Sequence, residues 1–468
     1  MRTTYITIFL ACLSFADSYS QDLSNSKING YKGIWFELMQ KYEYGDKYSG
    51  SLGTYTAKHS PLAIYAKEVD KTFFVFGGTL SENERYLLCM IGEFSHKTGM
   101  VSKPTVVYDK QGVNDPHDNP SILIDDKGYI WVFISGRGQT RPGFKYKSKT
   151  PFSIEEFVQI SEEEMTYPQP IYTDFGMFHF FTKYTGVRQL YFETSKDGID
   201  WTEDKMLAAI PEDKESNKSG HYQTSGVYDG QVVGTFFNRH PHGIVDKRTD
   251  IYYVQSDDFG ITWKTVEGIK IDLPLTDKES PARVVDYASQ GKNVYLKDLG
   301  FDADGNPVCL YIRSNGHVPG PESANYEWSV TKWNGKKWET LVVTSSDHNY
   351  DMGSLFILEK NWKIVGPTEE GPQKWGVGGE LAIWDSKDEG MNWEKISTIT
   401  ENSKYSHSYV RRPLDFEAPF CFFWADGHSH NFSKCKLYFG DFQGNIWQLP
   451  YEMKEDFEKP LKINYDPL

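Results

Sequence analysis

Seven segments of the sequence share one form: a polar or aromatic start, an apolar strand, a tight turn and a second apolar strand. That repetition constrains the fold more than any other feature. The segments are 58–78, 116–136, 167–184, 222–240, 295–316, 350–371 and 405–428, of which "PHDNPSILIDDKGYIWVFISG" is the most regular. Turns such as Asp126-Lys127-Gly128, Asp229-Gly230 and Asp304-Gly305-Asn306 are of the kind that closes hairpins. Helical periodicity is nearly absent. A repeat of roughly fifty residues can supply four strands, so the expectation is an all-β chain folded as a seven-bladed β-propeller of four-stranded blades.

A second pattern agrees. "SKDGIDW" (195–201), "SDDFGITW" (256–263) and "SKDEGMNW" (386–393) fit Ser-x-Asp-x-Gly-x-x-Trp once one-residue insertions are allowed. The Asp caps the amides of a tight turn and the Trp plugs between strands. This resembles the Asp-box repeats of sialidase-like propellers. The Arg-Ile-Pro-type segment that begins the sialidase arginine triad is absent, so the boxes speak for fold and not for that activity.

Composition narrows the partners. The chain of 468 residues carries a net charge of −15, which argues against nucleic acid, because nothing would offset phosphate repulsion. An acidic glycan is still allowed, since charges beyond about 8 Å are screened at physiological salt and a locally basic pocket can prevail. Aromatics make up 15% of the residues, which suits both strands and sugar-stacking surfaces. Residues 1–20 have a basic start, an apolar run and small polar residues after it, the layout of a secretory signal, and 21–468 is then a single propeller domain. The apolar run is too short to span a bilayer and no later segment is long enough. The expectation is an exported protein, periplasmic or secreted, with no membrane or nucleic-acid partner. Cys89, Cys309, Cys421 and Cys435 lack metal-type spacing, and Cys421 and Cys435 are candidates for a disulfide in an oxidising compartment.

In a propeller the first strand of each blade lines the central channel, so its starting residues converge at one mouth. The sets brought together are Lys58-His59, His117-Asp118-Asn119, Tyr167-Gln169, Tyr222-Gln223, Tyr295-Lys297, Tyr350-Asp351 and Tyr405-His407. Second strands return there with Arg137, Asn238-Arg239 and Arg313. The bland alternative is that these polar groups satisfy one another where strands crowd together. Two His-x-His runs, His240/His242 and His428/His430, have zinc-like alternation but sit at blade tips, where loop or sugar-contacting histidines are the better reading. No ligand spacing identifies a metal. The chemistry implied requires no cofactor, and a structural Ca2+ in the channel is compatible with the fold but marked by no motif.

Two family resemblances follow from local motifs. "DPHDNPSILIDDKGYIWVF" resembles ulvan-lyase-type propellers, in which one histidine precedes Asn-Pro and a second follows twenty residues later. Here the first is His117 and the second position holds Arg137. "GYKGIWF" and "YSGSLGTYTAKHSPLAIYAKEVDKTFFVFGG" resemble glycoside hydrolase family 145. That resemblance implies an exo-α-L-rhamnosidase removing rhamnose α-1,4-linked to glucuronic acid in arabinogalactan or gum arabic side chains. Its single catalytic histidine would be His59. Lys58, His117, Asn119, Arg137, Tyr167, Gln169, Tyr222, Gln223, Asn238 and Arg239 would bind an acidic plant glycan capped by rhamnose. The alternatives are a lyase cutting the same linkage by β-elimination, with His117 as base and Arg137 on the carboxylate, and a non-catalytic glycan-binding propeller. Glycoside hydrolysis usually uses two carboxyl groups about 5 to 9.5 Å apart. Only Asp118, Asp298 and Asp351 offer themselves, and only because strand starts converge.

Overall fold

The computed structural model describes residues 22–51, 58–213 and 218–463, so the signal segment expected over 1–20 lies outside the described residues. Seven sheets surround a channel. Their first strands are Ala63–Ala66, Pro120–Ile124, Thr166–Thr173, Gln223–Tyr228, Asn293–Phe301, Ser354–Leu358 and Ser406–Arg411, one for each hairpin read from the sequence. Blades 2, 3, 5 and 6 have four strands in simple sequence order. Blade 1 gains Phe457–Glu458 from the far end of the chain, and blade 7 gains Leu461–Ile463 at its outer edge. The N-terminal segment also enters that seam, where the Tyr31 amide donates to the Pro450 carbonyl (2.8 Å) and Gly33 to Cys435 (3.2 Å). First and last blades are therefore tied by both chain ends.

Strand alternation builds the core. In Gly176–Lys183, Met177 and Phe181 face blade 2 while Phe178 and Phe180 face blade 4. Because successive side chains point to opposite faces, each central strand feeds two seams. Seven apolar clusters result, one between each pair of neighbouring blades.

The Asp-boxes close the turns after the third strands, at the end of the channel away from the first-strand starts. Asp197 Oδ1 accepts from the amides of Ile199 (2.8 Å) and Asp200 (3.0 Å), and Trp201 Nε1 donates to the Gly198 carbonyl (2.8 Å). Gly198 has φ +77°, and a Cβ there would lie 2.5 Å from Trp131, so both conformation and space require glycine.

The Cys421–Cys435 disulfide is not formed, and both side chains are buried. They flank antiparallel strands in which Phe422 pairs with Gly440 and Ala425 with Leu437, so the two cysteines lie at opposite ends of the hairpin. At about 3.4 Å per residue that separation is far beyond disulfide reach.

Candidate active site

The first-strand starts do converge, at a mouth floored by tyrosines. Tyr167, Tyr222, Tyr295 and Tyr350 come from blades 3 to 6, and Tyr48 arrives from a hairpin in which Trp35–Glu37 pairs with Ser49–Ser51. Tyr167 and Tyr222 hydroxyls are 3.5 Å apart, and the Tyr48 and Tyr350 rings 4.9 Å. A bulge places Tyr167: pairing shifts between Thr166 and Gln169, Tyr167 takes φ +57°, and the Ser135 hydroxyl receives its amide at 3.1 Å. A bulky residue held in the left-handed region is strained, and such strain concentrates at functional sites.

Two arginines that the sequence reading passed over dominate this floor. Arg248 lies with its guanidinium carbon 4.1 Å from the Tyr222 ring, 4.7 Å from Tyr295 and 5.0 Å from Tyr350. It donates to the Tyr350 hydroxyl (2.7 Å) and the Val245 carbonyl (2.9 Å). Arg188 lies 5.6 Å from the Tyr222 ring and donates to the Tyr184 hydroxyl at 3.2 Å. Both are buried, at 7% and 6% exposure. Neither pairs with a carboxylate among the described residues. Burial pushes the Tyr222 hydroxyl up, but the flanking Arg188 and Arg248 outweigh it and hold its pKa below the usual tyrosine range.

On the blade 2 side, His117 stands in the turn Pro116–Asp118. Its Nδ1 meets Asp115, whose other oxygen accepts from Arg137 and Arg141, both at 2.6 Å. Burial, only partly offset by Asp115, brings His117 down to about 4, so it is neutral at ordinary pH. Partial burial opposes the charge of Asp115, yet His117 and Arg137 keep its carboxyl well below the usual range.

The other expected site residues lie deeper or elsewhere. His59 is fully buried, with Nε2 3.1 Å from the His117 carbonyl and its ring edge-on to Tyr167. Lys58 spans the channel to the Leu296 carbonyl (2.9 Å), Gln169 donates to the Lys58 and Gln223 carbonyls, and Gln223 donates to Phe181. Asn119 packs against Gly77 of blade 1. Asn238 bridges the Tyr222 amide and the Val294 carbonyl. Arg239 is ion-paired with Asp250 and Glu212, and Arg313 with Glu327. Tyr405 neighbours His428, while His407 is buried against Trp424.

No carboxylate pair forms from the three aspartates considered. Asp118 is bound by Lys110 and Arg141, Asp298 by Arg412, and Asp351 by the amides of Gly378 and His348. The His-x-His runs do not converge either. His240 is buried while His242 is exposed, and His428 Nδ1 accepts the His430 amide. Glu163, Glu193 and Asp204 approach closely enough for a cation, but the Lys145 ammonium lies 2.7 Å from both glutamates and fills that need.

Arg188 and Arg248 escaped notice because they precede third strands, Gln189–Ser195 and Thr249–Ser256, which also begin at this mouth. A lone Arg before the third strand of two successive blades was the available signal.

The sequence matches the BNR repeat-containing family over residues 93–346. It is similar to an ulvan lyase of Nonlabens ulvanivorans, 23% identical over 334 residues, covering 62% of this chain and 67% of that one. An ulvan lyase of Alteromonas sp. (strain LOR) is 22% identical over 330 residues, covering 61% and 64%. The match thus spans about two thirds of these relatives' length. Among solved structures, a PL25 ulvan lyase superposes with a TM-score of 0.70 at 17% identity, over 88% of this chain and 94% of that one. The same kind of enzyme bound to -[GlcA(1-4)Rha3S]- superposes with a TM-score of 0.69 at 16% identity, over the same shares of the two chains. At such identity the likeness is one of fold.

Proposed function

The chain belongs to the BNR repeat-containing family, and from that premise we propose that it is a polysaccharide lyase acting on an acidic glycan with rhamnose–uronate linkages. The observation that carries this reading is the pair of buried arginines, Arg188 and Arg248, without carboxylate partners among the described residues and beside one tyrosine. Buried charge without a counter-charge is costly, and a uronate carboxylate supplies what is missing. The names of the similar enzymes, and the glucuronate–rhamnose ligand of one of them, support the same class of substrate.

β-Elimination asks for three things: neutralisation of the carboxylate, a base for the C5 proton, and an acid for the departing O4. Arg188 and Arg248 hold the carboxylate and make the C5 proton more acidic. His117, neutral and oriented by Asp115, takes that proton on Nε2. The C5–H electrons form the C4–C5 double bond as the C4–O4 bond breaks. The Tyr222 hydroxyl gives its proton to O4, and the phenolate left behind lies between the two guanidiniums. Arg137 keeps to Asp115, so its part is to orient the His117 dyad and not to bind the uronate.

The rhamnosidase alternative gives the chemistry to His59, which lies beneath His117 with one ring nitrogen on a backbone carbonyl. We assign His59 to holding that turn. Export through residues 1–20 fits a polymer too large to enter a cell. Incubation with ulvan and with gum arabic decides between the two chemistries. We expect an ultraviolet-absorbing unsaturated product from ulvan. Free rhamnose and a saturated glucuronate end from gum arabic, without new absorbance, would overturn the lyase reading.

A further inference from the structure

The first histidine of "NRHPHG" is a buried side chain of the mouth to which the elimination scheme gives no task. His240 is 1% exposed, and both ring nitrogens lack a hydrogen-bond partner among the described residues. Its backbone is pinned: the amide donates to the Gly220 carbonyl and its own carbonyl accepts from Gly243, both at 2.9 Å. Its ring lies 4.8 Å from that of Tyr222, the ring that Arg248 and Arg188 also approach. A Cβ on Gly220 would lie 2.8 Å from His240 Nδ1, so the space around the imidazole depends on a glycine.

A buried polar group with no partner is destabilising. Native structures tolerate that cost where a ligand ends it. Burial first, then Arg248, His221, Arg188 and Lys47, holds the His240 ring neutral. A neutral imidazole offers one N–H and one lone pair. Beside two guanidiniums, that N–H is a third donor that adds no further positive charge.

We propose that His240 is a substrate-contacting residue, its ring N–H donating to the carboxylate that Arg188 and Arg248 bind. The inference rests on the uronate reading of the mouth. As the C5 proton leaves, negative charge builds on the carboxylate, so the contact strengthens in the transition state and acts on kcat more than on KM.

The test uses the full chain. With 15N-labelled histidine, addition of sodium glucuronate, a saturated sugar acid that the enzyme cannot cleave, should shift one imidazole signal, the one missing from His240→Gln. On polymer, His240→Ala should lose about 10²- to 10³-fold in kcat, the cost of one preorganised donor. KM should stay within about threefold by the same argument, and the melting temperature close to wild type. His240→Gln should recover part of the rate, since its amide also donates. Gly220→Ala, which crowds the ring without removing it, should lower kcat in the same direction. An unshifted imidazole at saturating glucuronate overturns the proposal, as does a folded His240→Ala with kcat within threefold of wild type. The spectroscopic arm is independent of which bond is broken: a shifted imidazole with no unsaturated product from wild type would sink the lyase chemistry and keep the contact.

Discussion

Arg239 and Arg248 lie nine residues apart in blade 4 and are equally hidden, yet they are opposites. Arg239 closes an ion-pair triad with Asp250 and Glu212, both at 2.6 Å. Arg248 meets a carbonyl, a hydroxyl and three aromatic rings, and no carboxylate among the described residues. The same contrast separates two levels of the channel. At the mouth, Arg188, Arg248 and His240 are held in place with capacity unspent. Just below, Lys58, Gln169, Gln223 and Asn238 use theirs on backbone carbonyls and amides. Residue type does not distinguish function from scaffold here; whether the protein already satisfies the group does.

The sharpest way to break that contrast is to remove each arginine in turn. Arg248→Met should leave the fold intact, because no buried carboxylate loses its partner. It should lower kcat/KM on a uronate polymer by about 10²- to 10³-fold, the loss of a charge-stabilising donor. Arg239→Met should do the reverse. Asp250, fully buried, would lose its counter-charge, and breaking a buried pair costs about 3 to 5 kcal/mol. Denaturant unfolding and steady-state kinetics on both variants check the pair. If Arg239→Met is inactive at full stability, or Arg248→Met unfolds, the distinction fails.

The next largest effect concerns Asp115. Asp115→Asn should lower kcat by about 10- to 100-fold, because His117 loses the carboxylate that fixes its tautomer. The pH dependence gives a sharper sign. Asp115 raises the His117 pKa from the value that burial alone would impose. Without it, protonation of His117 needs still lower pH, so the acid limb of kcat/KM should move down. An acid limb moving up would mean that another group is the base.

These tests also separate what was legible in the sequence from what was not. The seven hairpins and three Asp-boxes were readable because strand alternation and turn chemistry are local, and each blade repeats them. Tyr167, Tyr222 and His117 were readable because first strands must begin at the mouth. The depth of a residue was not. Gln169 lies just past the bulge that turns Tyr167 to the mouth, and its amide is spent on the Lys58 and Gln223 carbonyls. Arg188 and Arg248 stand before third strands, which the two-strand hairpin pattern does not reach, and Asp115 precedes that pattern by one residue.

A smaller effect tests the buried histidines as a group. His117 and His221 are each held down to about 4, chiefly by burial. Their unfolded pKa is about 6.5, so the unfolded chain binds the extra protons. The folded-state pKa is depressed, so the stabilisation is complete above about 6.5 and is lost as pH falls toward 4. Thermal melts should therefore drop between pH 7 and pH 5, and His221→Gln should flatten part of that slope. A melting temperature constant across that window would mean that neither histidine is buried neutral.

The smallest expected effect falls on Lys58, the residue whose position beside His59 makes it look most like a uronate ligand. Burial first, then Arg248, Lys297 and Arg411, pushes its ammonium well below the usual lysine range. An amine in that state is a weak counter-ion, and its one described hydrogen bond goes across the channel to the Leu296 carbonyl. Lys58→Met keeps the length and apolar stem and removes that bond, at a cost of about 1 kcal/mol. The melt should move by a few degrees at most, and KM for the uronate polymer should not move. If instead Lys58→Met raises KM tenfold at unchanged stability, the lower level of the channel takes part in binding. The line between mouth and brace would then have to be drawn one layer deeper.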